Sequence, residues 1–423
     1  MAVFQQTGVA EGGSAYDTVL KDFYEGPIRE HLNNKVTILK HVEKSKRKWT
    51  GRQVLFPVHL RRNTGVGARG EDGSLPTAGR QTYVESKIRA KYMYGRITLT
   101  GAVISASKGD RGAFASALRT EVDGMRTDLR DDMNRQCFGN AVGTFGGVDY
   151  TGRTGILACL PTASSLTTSN PGTRFLKNGM SIHFGVHSEL TGGALHQTGT
   201  VTGITSTTQF TKSGGTAQNN DIIVRGDAAG HSYENELTGL SFIVNASTAA
   251  GNTLQQIDPS TNPEWVSNEL TNGGAGNRPL SLELMQLAVD TCDEVGGTEP
   301  NLIIGHHSIR REYINLLSAD VRYAPEQLRG GFQKLSYAGG STPIGIEFDK
   351  HAPYNKLFFL KTSDLRLYVQ QDWKWADRDG STFSRMADKD NWEAFMCWYG
   401  NLGCERRNSH TLLTELNASN LIF

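Results

Sequence analysis

The strongest pattern of apolar and polar positions along the chain is a helical repeat between residues 107 and 139. Six apolar residues recur at spacings of three or four, which places them on one face of a helix. These residues are Phe114, Leu118, Val122, Met125, Leu129 and Met133. Charged residues fill the other faces, and Arg119–Asp123 and Asp131–Arg135 have the spacing of ion pairs between adjacent helical turns. The pattern predicts a helix that ends at Gly139 and, at ~1.5 Å per residue, is roughly 45–50 Å long.

Two alternating stretches before this helix predict a long two-stranded β-ribbon within residues 51–101. Residues 53–60 alternate well enough for one strand, and residues 83–99 supply a longer return strand. The loop between them, residues 63–76, is rich in glycine and flexible by composition. A ribbon of this kind has little core of its own, so we expect it to need a surface from elsewhere to lie on.

After the helix, residues 161–280 change character and predict short strands. Only thirteen of these 120 residues are charged, and Thr, Ser, Gly and Asn dominate. Five runs have the length and spacing of strands in hairpins: residues 180–184, 198–204, 209–212, 222–225 and 240–244. We expect a small β-barrel or sandwich at about residues 170–240, inserted into the main fold and facing outward.

From residue 280 onward the pattern is mixed α/β. Ser281 can cap a helix that ends at the pair Gly296-Gly297, and a second helix begins at Ser308. Strands are expected at residues 301–304, 344–348, 356–360 and 365–369, followed by a last pair of strands, or one bent strand, at residues 392–416. The fold class is therefore α+β.

Charge is distributed unevenly along the chain. Residues 35–111 hold seventeen Lys/Arg against five Asp/Glu, although the whole chain has a formal net charge of +1. A chain with such an internal split can attract copies of itself head to tail. Within this stretch, the basic tract Lys40, Lys44, Lys46, Arg47 and Lys48 has two readings: a solvated face, or contact with an acidic neighbour or nucleic acid.

Composition excludes several classes of protein. No apolar run approaches the ~18 residues that a membrane span requires, and the N-terminus lacks the pattern of a secretory signal. The five cysteines are scattered, without Cys-x-x-Cys spacing, which favours reduced thiols in a protein made in the cytoplasm. We therefore expect no membrane partner.

No motif in the sequence assigns a reaction, cofactor or metal. Residues 65–70 match G-x-G-x-x-G, but no helix follows, so nucleotide binding is not supported. His183 and His187 lie in a strand-like run where side chains four apart do not converge, and His306 is expected to cap or pack. The aromatic residues Trp373, Trp375, Trp392, Trp398 and Tyr399 are expected in a core.

Five stretches together carry a resemblance to a known family. They are residues 66–76 (VGARGEDGSLP), 97–101 (ITLTG), 110–114 (DRGAF), 134–139 (NRQCFG) and 399–404 (YGNLGC). With the order of predicted elements, they resemble the major capsid protein of tailed bacteriophages, of the Hong Kong 97-type fold. The resemblance implies an N-terminal arm at residues 1–50, an E-loop at 51–105, and a P-domain at 106–169 with its spine helix at 107–139. It further implies a β-rich insertion at 170–240, a return to the P-domain and a linker at 241–279, an A-domain at 280–391, and a C-terminal P-domain strand at 392–423.

The same resemblance implies a non-enzymatic function in a virion assembled in the bacterial cytoplasm. Copies would form hexamers and pentamers of an icosahedral shell around double-stranded DNA, which they would contact without reading sequence. Arg61, Arg62, Arg69 and Arg80 of the E-loop would contact a neighbouring copy. A separate scaffolding protein, a portal and a decoration protein are the other implied partners. An encapsulin-type cellular compartment shares this fold and is the alternative, ahead of a tail or decoration protein and an enzyme.

Overall fold

The computed structural model describes residues 36–47, 49, 51–101, 111–149, 156–160, 172–185, 197–206, 209–214, 221–227, 230–249, 251–320, 336–377, 384–386 and 388–418. Most of the predicted N-terminal arm (residues 1–35) and the predicted first residues of the long helix lie outside these ranges.

The described α-helices are α1 (Arg111–Phe138), α2 (Leu240–Ile243), α3 (Leu282–Gly296) and α4 (His307–Asp320). The strands are β1 (Glu43–Lys44), β2 (Gln53–Arg61), β3 (Thr82–Arg89), β4 (Lys91–Thr100), β5 (Thr144–Asp149), β6 (Ile156–Leu160), β7 (Ser181–Gly185), β8 (Gln197–Ile204), β9 (Gln209–Ser213), β10 (Ile222–Asp227), β11 (Gly230–His231), β12 (Asn268–Leu270), β13 (Leu302–Gly305), β14 (Ser336–Tyr337), β15 (Ile344–Phe348), β16 (Leu357–Leu360), β17 (Leu365–Trp375), β18 (Ser384–Arg385), β19 (Asn391–Cys404) and β20 (Thr411–Leu413).

The predicted long helix is confirmed over the 28 residues of α1. Met133 is buried, Val122, Met125 and Leu129 are half-buried on the same face, and the side chains of Phe114 and Leu118 lie outside the described residues. The predicted pair Asp131–Arg135 is wrong. Arg135 instead binds Asp132 and Glu236, while Asp131 binds Lys350, because the end of this helix is buried among other elements.

The apolar face of α1 lies on β4, in a five-stranded sheet. The long strand β19 is central in this sheet: it pairs with β4 along one edge and with β17 and β18 along the other. On its other edge, β17 pairs with β1. The closest approach is at Gly95, where a Cβ atom would lie 2.7 Å from Leu129 Cδ1 and 2.9 Å from Met125 Sδ. The helix can lie this close to the strand because position 95 has no side chain.

We expect the substitution Gly95→Val to lower the free energy of unfolding by ~1–3 kcal/mol, since the added side chain would overpack this contact. Urea-induced unfolding of the full-length chain measures the change. Gly345→Val is the matched control, because a Cβ at this other strand position meets nothing within 4 Å. Equal effects at both positions would contradict the packing described for α1.

The predicted β-ribbon is confirmed in part. Strands β2 and β3 pair antiparallel from Gln53↔Arg89 to Arg61↔Thr82. The predicted return strand of residues 83–99 is two strands, however, because the chain leaves the ribbon at Ala90 and β4 pairs with β19. This path buries Met93 and Ile97, which a longer ribbon would expose.

The predicted β-rich domain is a closed six-stranded barrel. Its strands pair in the order β10–β5–β6–β9–β8–β7, and β7 pairs again with β10. Phe184, Phe210 and Ile223 lie in its core. The predicted start at residue 170 leaves out β5 and β6, and the predicted end at residue 240 includes Leu237 and Leu240, which belong to the main core.

The strand predicted at residues 240–244 is wrong, since α2 occupies this position. Leu240, Ile243 and Val244 are all buried against the end of α1. Their spacing of three and four residues is the helical one, which the short length of the run concealed.

The remaining elements form an α/β layer. A sheet in the order β12-β20-β16-β13-β15-β14 carries α3 and α4 on one face, through a core that includes Met285, Ile309 and Phe359. Its other face, with Phe358, meets Phe138 at the end of α1 at a ring distance of 6.3 Å. The predicted cap is confirmed: Leu284 N–H donates to the Ser281 hydroxyl, and Gly297 ends α3 in the left-handed conformation at φ 64°.

The last predicted pair of strands is confirmed as β19 and β20, but they lie in different sheets. β17, within the range predicted for the A-domain, pairs with β19, whereas β20 pairs with β12 and β16. The chain therefore crosses between the two sheets at residues 405–410, and the final segment connects the layers.

Candidate functional site

The ribbon projects a loop, residues 62–81, beyond its last strand pair; we call this loop the tip. Its apolar residues Val66 and Leu75 are 84% and 87% exposed. The tip is narrow at its neck, because a Cβ on Gly65 would lie 2.7 Å from the Gly79 nitrogen. Such exposed apolar side chains on a narrow projection favour contact with another surface.

The four arginines predicted to contact a neighbour do not share one environment. Arg61 pairs with Glu264 of its own chain, with Nε–Oε1 at 2.7 Å, and this hydrogen bond lowers the pKa of Glu264. Arg69 donates to the backbone carbonyls of Ser74 and Ala68 and remains exposed. Arg62 and Arg80 are exposed. The contact with a neighbour remains a prediction for all four.

The base of the ribbon lies on its own chain, which the sequence did not indicate. Val54, Phe56 and Ile88 form a small core with Tyr368 of β17, and the Phe56 and Tyr368 rings stack at 6.2 Å. Gly403 makes room for this contact, because a Cβ there would collide with Ile88. The expectation that the ribbon needs a surface from elsewhere is therefore wrong for the base, and it remains a prediction for the tip.

A second exposed apolar surface lies on the outer face of β4 and β19; we call it the aromatic strip. Tyr92 and Tyr94 are 55% and 57% exposed, and both rings meet Tyr399 edge-on, at 5.1 and 6.1 Å. Phe395 is 38% exposed on the same face. The alternation with buried Met93 and Ile97 was the signal that could have revealed this face.

The predicted aromatic core is only partly confirmed. Trp398 is buried and lies 6.1 Å from Trp373, which packs partly buried against the main core. Trp392 is 37% exposed. Because successive strand residues face opposite sides of a sheet, Trp398 and Tyr399 cannot share one core.

The buried end of α1 carries a polar network that no sequence pattern indicated. Arg135 binds Asp132 at 3.0 Å and Glu236 at 2.5 Å, and its guanidinium lies 4.7 Å from the Phe145 ring of the barrel. Burial opposes the charge on Arg135, but the two carboxylates overcome it and raise its pKa. Burial also opposes the charge on Asp132, yet Arg135 and Arg225 lower its pKa to about 2.

Asn134 extends this network to the α/β layer. Its amide donates to Asp349 Oδ2 at 2.9 Å and lies 3.0 Å from His351 Nδ1. Thr37 N–H donates to the same Asp349 oxygen at 3.1 Å. The end of α1 thus holds the barrel, the α/β layer and the N-terminal segment together.

Arg407 is a second buried cation, and it is bound by backbone alone. It donates to the carbonyls of Ile243, Trp265 and Phe242 at 2.8, 2.9 and 3.0 Å. Two of these carbonyls lie at the C-terminal end of α2, where a positive charge compensates unpaired carbonyl groups. Burial lowers the pKa of Arg407 to about 10.

His306, Cys404 and His410 are buried and make structural contacts. Ser308 N–H donates to His306 Nδ1 at 3.1 Å, which confirms the capping interpretation. Cys404 Sγ lies 3.5 Å from His410 Nε2, but burial raises the thiol pKa and lowers the pKa of His410 to about 4, so both groups are neutral. Within the described ranges, no group of three metal-ligating side chains occurs and no helix could span a membrane.

The described residues thus present two candidate contact surfaces: the tip, which exposes Val66 and Leu75 among charged residues, and the aromatic strip. No protein-family model matches the chain, and no curated protein matches it.

Solved structures do match over nearly the whole chain. The cyanophage A-1(L) capsid asymmetric unit has a TM-score of 0.62 at 12% identity, covering 94% of this chain and 98% of that one. The capsid of an empty GTA particle has a TM-score of 0.50 at 7% identity, covering 96% and 98%. At such identities the similarity shows the fold and not the activity. The chain therefore shares the fold of phage capsid proteins.

Proposed function

We propose that this chain is the coat subunit of a tailed bacteriophage, and that its copies assemble into an icosahedral shell around double-stranded DNA. The observation that carries the proposal is the fold similarity to a cyanophage capsid subunit over 94% of the chain. The exposed tip and the aromatic strip support it, since each is an apolar surface of the kind that a second molecule covers.

In this proposal the ribbon and its tip are the E-loop, α1 with the five-stranded sheet is the P-domain, and the six-stranded sheet with α3 and α4 is the A-domain. The tip of one copy would lie across the P-domain of the next, with Arg62, Arg69 and Arg80 near acidic groups there. Each subunit should bury more than ~2,000 Å², as permanent assemblies do. The polar part of the contact should make early assembly sensitive to salt.

The proposed partners follow from the shell. Copies would form hexamers and pentamers, while a separate scaffolding protein, a portal and a decoration protein would complete the virion. DNA would be contacted by charge and without reading of bases. The proposal includes no enzymatic activity.

Deletion of residues 66–76 tests the contact between subunits. The ends of the deleted segment meet, because a Cβ on Gly65 would lie 2.8 Å from the Thr77 carbonyl oxygen. The shortened chain should therefore fold with nearly unchanged stability and fail to form closed shells, as seen by electron microscopy and sedimentation. A variant in which residues 66–76 are replaced by Gly and Ser is the control, because it keeps the length of the tip and removes its side chains. Closed shells of normal size from the deletion variant would refute this contact.

The contents of the particle separate a coat protein from an encapsulin-type compartment. Particles isolated from cells that carry the native gene neighbourhood should contain nuclease-protected double-stranded DNA. A particle that holds a protein cargo and no protected DNA would favour the compartment instead.

A further inference from the structure

The dipeptide Asn-Gly occurs twice in the sequence, at residues 178–179 and 272–273. This dipeptide can react without an enzyme, because glycine has no side chain to shield its nitrogen from the side-chain amide of the preceding asparagine. Each dipeptide lies in a turn, and the two turns give the glycine nitrogen different hydrogen-bond partners. The structure therefore distinguishes two sites that are alike in sequence.

The first turn, residues 177–180, holds its glycine nitrogen against the barrel. Met180 N–H donates to the Lys177 carbonyl at 3.0 Å, which makes Gly179 the third residue of the turn, with φ 81°. Gly179 N–H donates to the Val201 carbonyl of β8 at 2.8 Å, and Val201 N–H donates to the Met180 carbonyl at 2.9 Å. The Gly179 nitrogen is thus bound to a strand, and it is released only if the turn separates from β8.

The second turn, residues 272–275, leaves its glycine nitrogen accessible. Ala275 N–H donates to the Asn272 carbonyl at 3.2 Å, which makes Gly273 the second residue of the turn, with φ 66°. The N–H at this position makes no bond within a turn that is closed by its first and fourth residues. Among the described residues, the exposed Gly273 N–H donates to the Thr271 hydroxyl at 3.3 Å. A side-chain hydroxyl at this distance shields the nitrogen less than a strand does.

The Asn272 side chain has one hydrogen bond that must break before it can reach this nitrogen. Its Nδ2 donates to the Gly276 carbonyl at 2.9 Å, in an exposed part of the loop. A Cβ atom on Gly273, Gly274 or Gly276 would meet nothing within 4 Å, so the loop has open space around it. Rotation of the Asn272 amide toward the Gly273 nitrogen therefore costs a single exposed hydrogen bond.

We propose that Asn272 is a site of spontaneous deamidation and that the fold protects Asn178 from the same reaction. The Gly273 nitrogen attacks Asn272 Cγ: a C–N bond forms, the Cγ–Nδ2 bond breaks, and ammonia leaves with the proton of the Gly273 amide. Water then opens the succinimide ring at either carbonyl and leaves aspartate or isoaspartate at position 272. The reaction needs only water, so this inference does not depend on the proposed function.

The product changes the contact between this loop and the C-terminal segment. Asn272 N–H donates to the Glu415 carboxylate, and Arg278 N–H donates to the Glu415 carbonyl at 2.7 Å. A carboxylate at position 272 brings a second negative charge near Glu415 and removes the donor that the Gly276 carbonyl accepts from. Isoaspartate also adds an atom to the backbone. Deamidation therefore weakens the attachment of the loop to Glu415.

Mass spectrometry of peptides from the incubated full-length chain tests the assignment. In the native protein at mildly alkaline pH, Asn272 should deamidate roughly 3–10-fold faster than Asn178, because a backbone hydrogen bond to β8 protects the second site. In urea both turns are lost, and the two rates should become nearly equal because each asparagine precedes a glycine. A native ratio of rates no larger than the ratio in urea would overturn the proposal.

Thr271→Val tests whether access to the glycine nitrogen controls the reaction. This variant removes the hydroxyl to which Gly273 N–H donates and keeps the shape of the side chain. The rate at Asn272 should rise by ~2-fold, since the hydrogen bond is weak. The rate at Asn178 in the same protein is the internal control and should not change. An unaltered or lower rate at Asn272 would contradict the proposed role of the Gly273 nitrogen.

Hydrogen exchange at the Arg278 amide tests the consequence for the C-terminal segment. Asn272→Asp and Asn272→Ala both remove the bond to the Gly276 carbonyl, but only aspartate adds a charge near Glu415. Exchange should be up to ~5-fold faster in Asn272→Asp than in Asn272→Ala, the most that a pair of exposed charges supports. Equal exchange in the two variants would refute the effect of the new charge on this contact.

Discussion

Replacing Arg135 with methionine should lower the free energy of unfolding by ~3–5 kcal/mol, because it removes the counter-charge of the buried Glu236 carboxylate and leaves Asp132 with Arg225 alone, 3.4 Å away. The side chains of Asp132 and Glu236 are only 16% and 5% exposed. Methionine keeps the contact with the Phe145 ring that the guanidinium makes. The expected loss therefore comes from charge and not from packing, and chemical denaturation of the full-length chain measures it.

Arg96→Met provides the control for this prediction. Arg96 pairs with Glu393 on the surface, with 57% and 29% of the side chains exposed, and such a pair contributes ~0–1 kcal/mol. Adding Asp132→Asn and Glu236→Gln to Arg135→Met should recover part of the stability, since no buried charge then remains unpaired. A loss at Arg135 no larger than that at Arg96 would show that the end of α1 does not depend on this network.

Lowering the pH from 7 to 5 should destabilise the unassembled chain by up to ~6 kcal/mol, at ~2 kcal/mol for each of three buried histidines. Burial lowers the pKa of His306 to about 2, of His351 to about 3 and of His410 to about 4. In the unfolded chain these histidines take up a proton below pH ~6.5, which the folded chain cannot do. Stability is therefore complete above this pH and falls as the pH decreases toward the folded pKa values.

Substitution of one histidine assigns the effect. His351→Gln can keep an acceptor for the Asn134 amide, which lies 3.0 Å from His351 Nδ1, and it should reduce the loss between pH 7 and 5 by ~2 kcal/mol. Unfolding curves of both proteins at the two pH values give the comparison. An identical pH dependence would mean that His351 is protonated in the folded chain.

A separate, more acidic range belongs to the carboxylates. Arg135 and Arg225 lower the pKa of Asp132 to about 2 against the cost of burial, so the stability that Asp132 contributes is present above pH ~4 and is lost below it. The free energy of unfolding is thus expected to fall between pH ~6.5 and ~4 because of the histidines. It should fall further below pH ~4 because of this network.

Local signals in the sequence were sufficient to predict a helix whose two ends carry capping residues. Ser281 and Gly297 fix both ends of α3, so the prediction matched the structure there. The apolar repeat likewise identified α1, because one pattern continues over about five turns, from Phe114 to Met133. Strands β7 to β10 were found from alternation and hairpin spacing, although their closure into a barrel depends on pairing between β7 and β10, which lie far apart in the chain.

The strand predicted at residues 240–244 was wrong because the run is short. Leu240–Ile243 is a single helical turn, and four residues are too few to distinguish a turn of helix from a strand. Local spacing also did not indicate that Arg61 pairs with Glu264 of its own chain, because the two residues lie 203 positions apart.

The sequence by itself determined the long helix, the ribbon with its glycine-rich tip, four of the six barrel strands and the resemblance to capsid proteins, because each depends on residues close together in the chain. Only the tertiary structure decided that the base of the ribbon rests on its own sheet, that Gln255 and Glu264 bind the ribbon, and that the end of α1 buries paired charges. Those features depend on contacts between segments that are far apart in the chain. Local residue spacing does not specify which distant residue a side chain will contact.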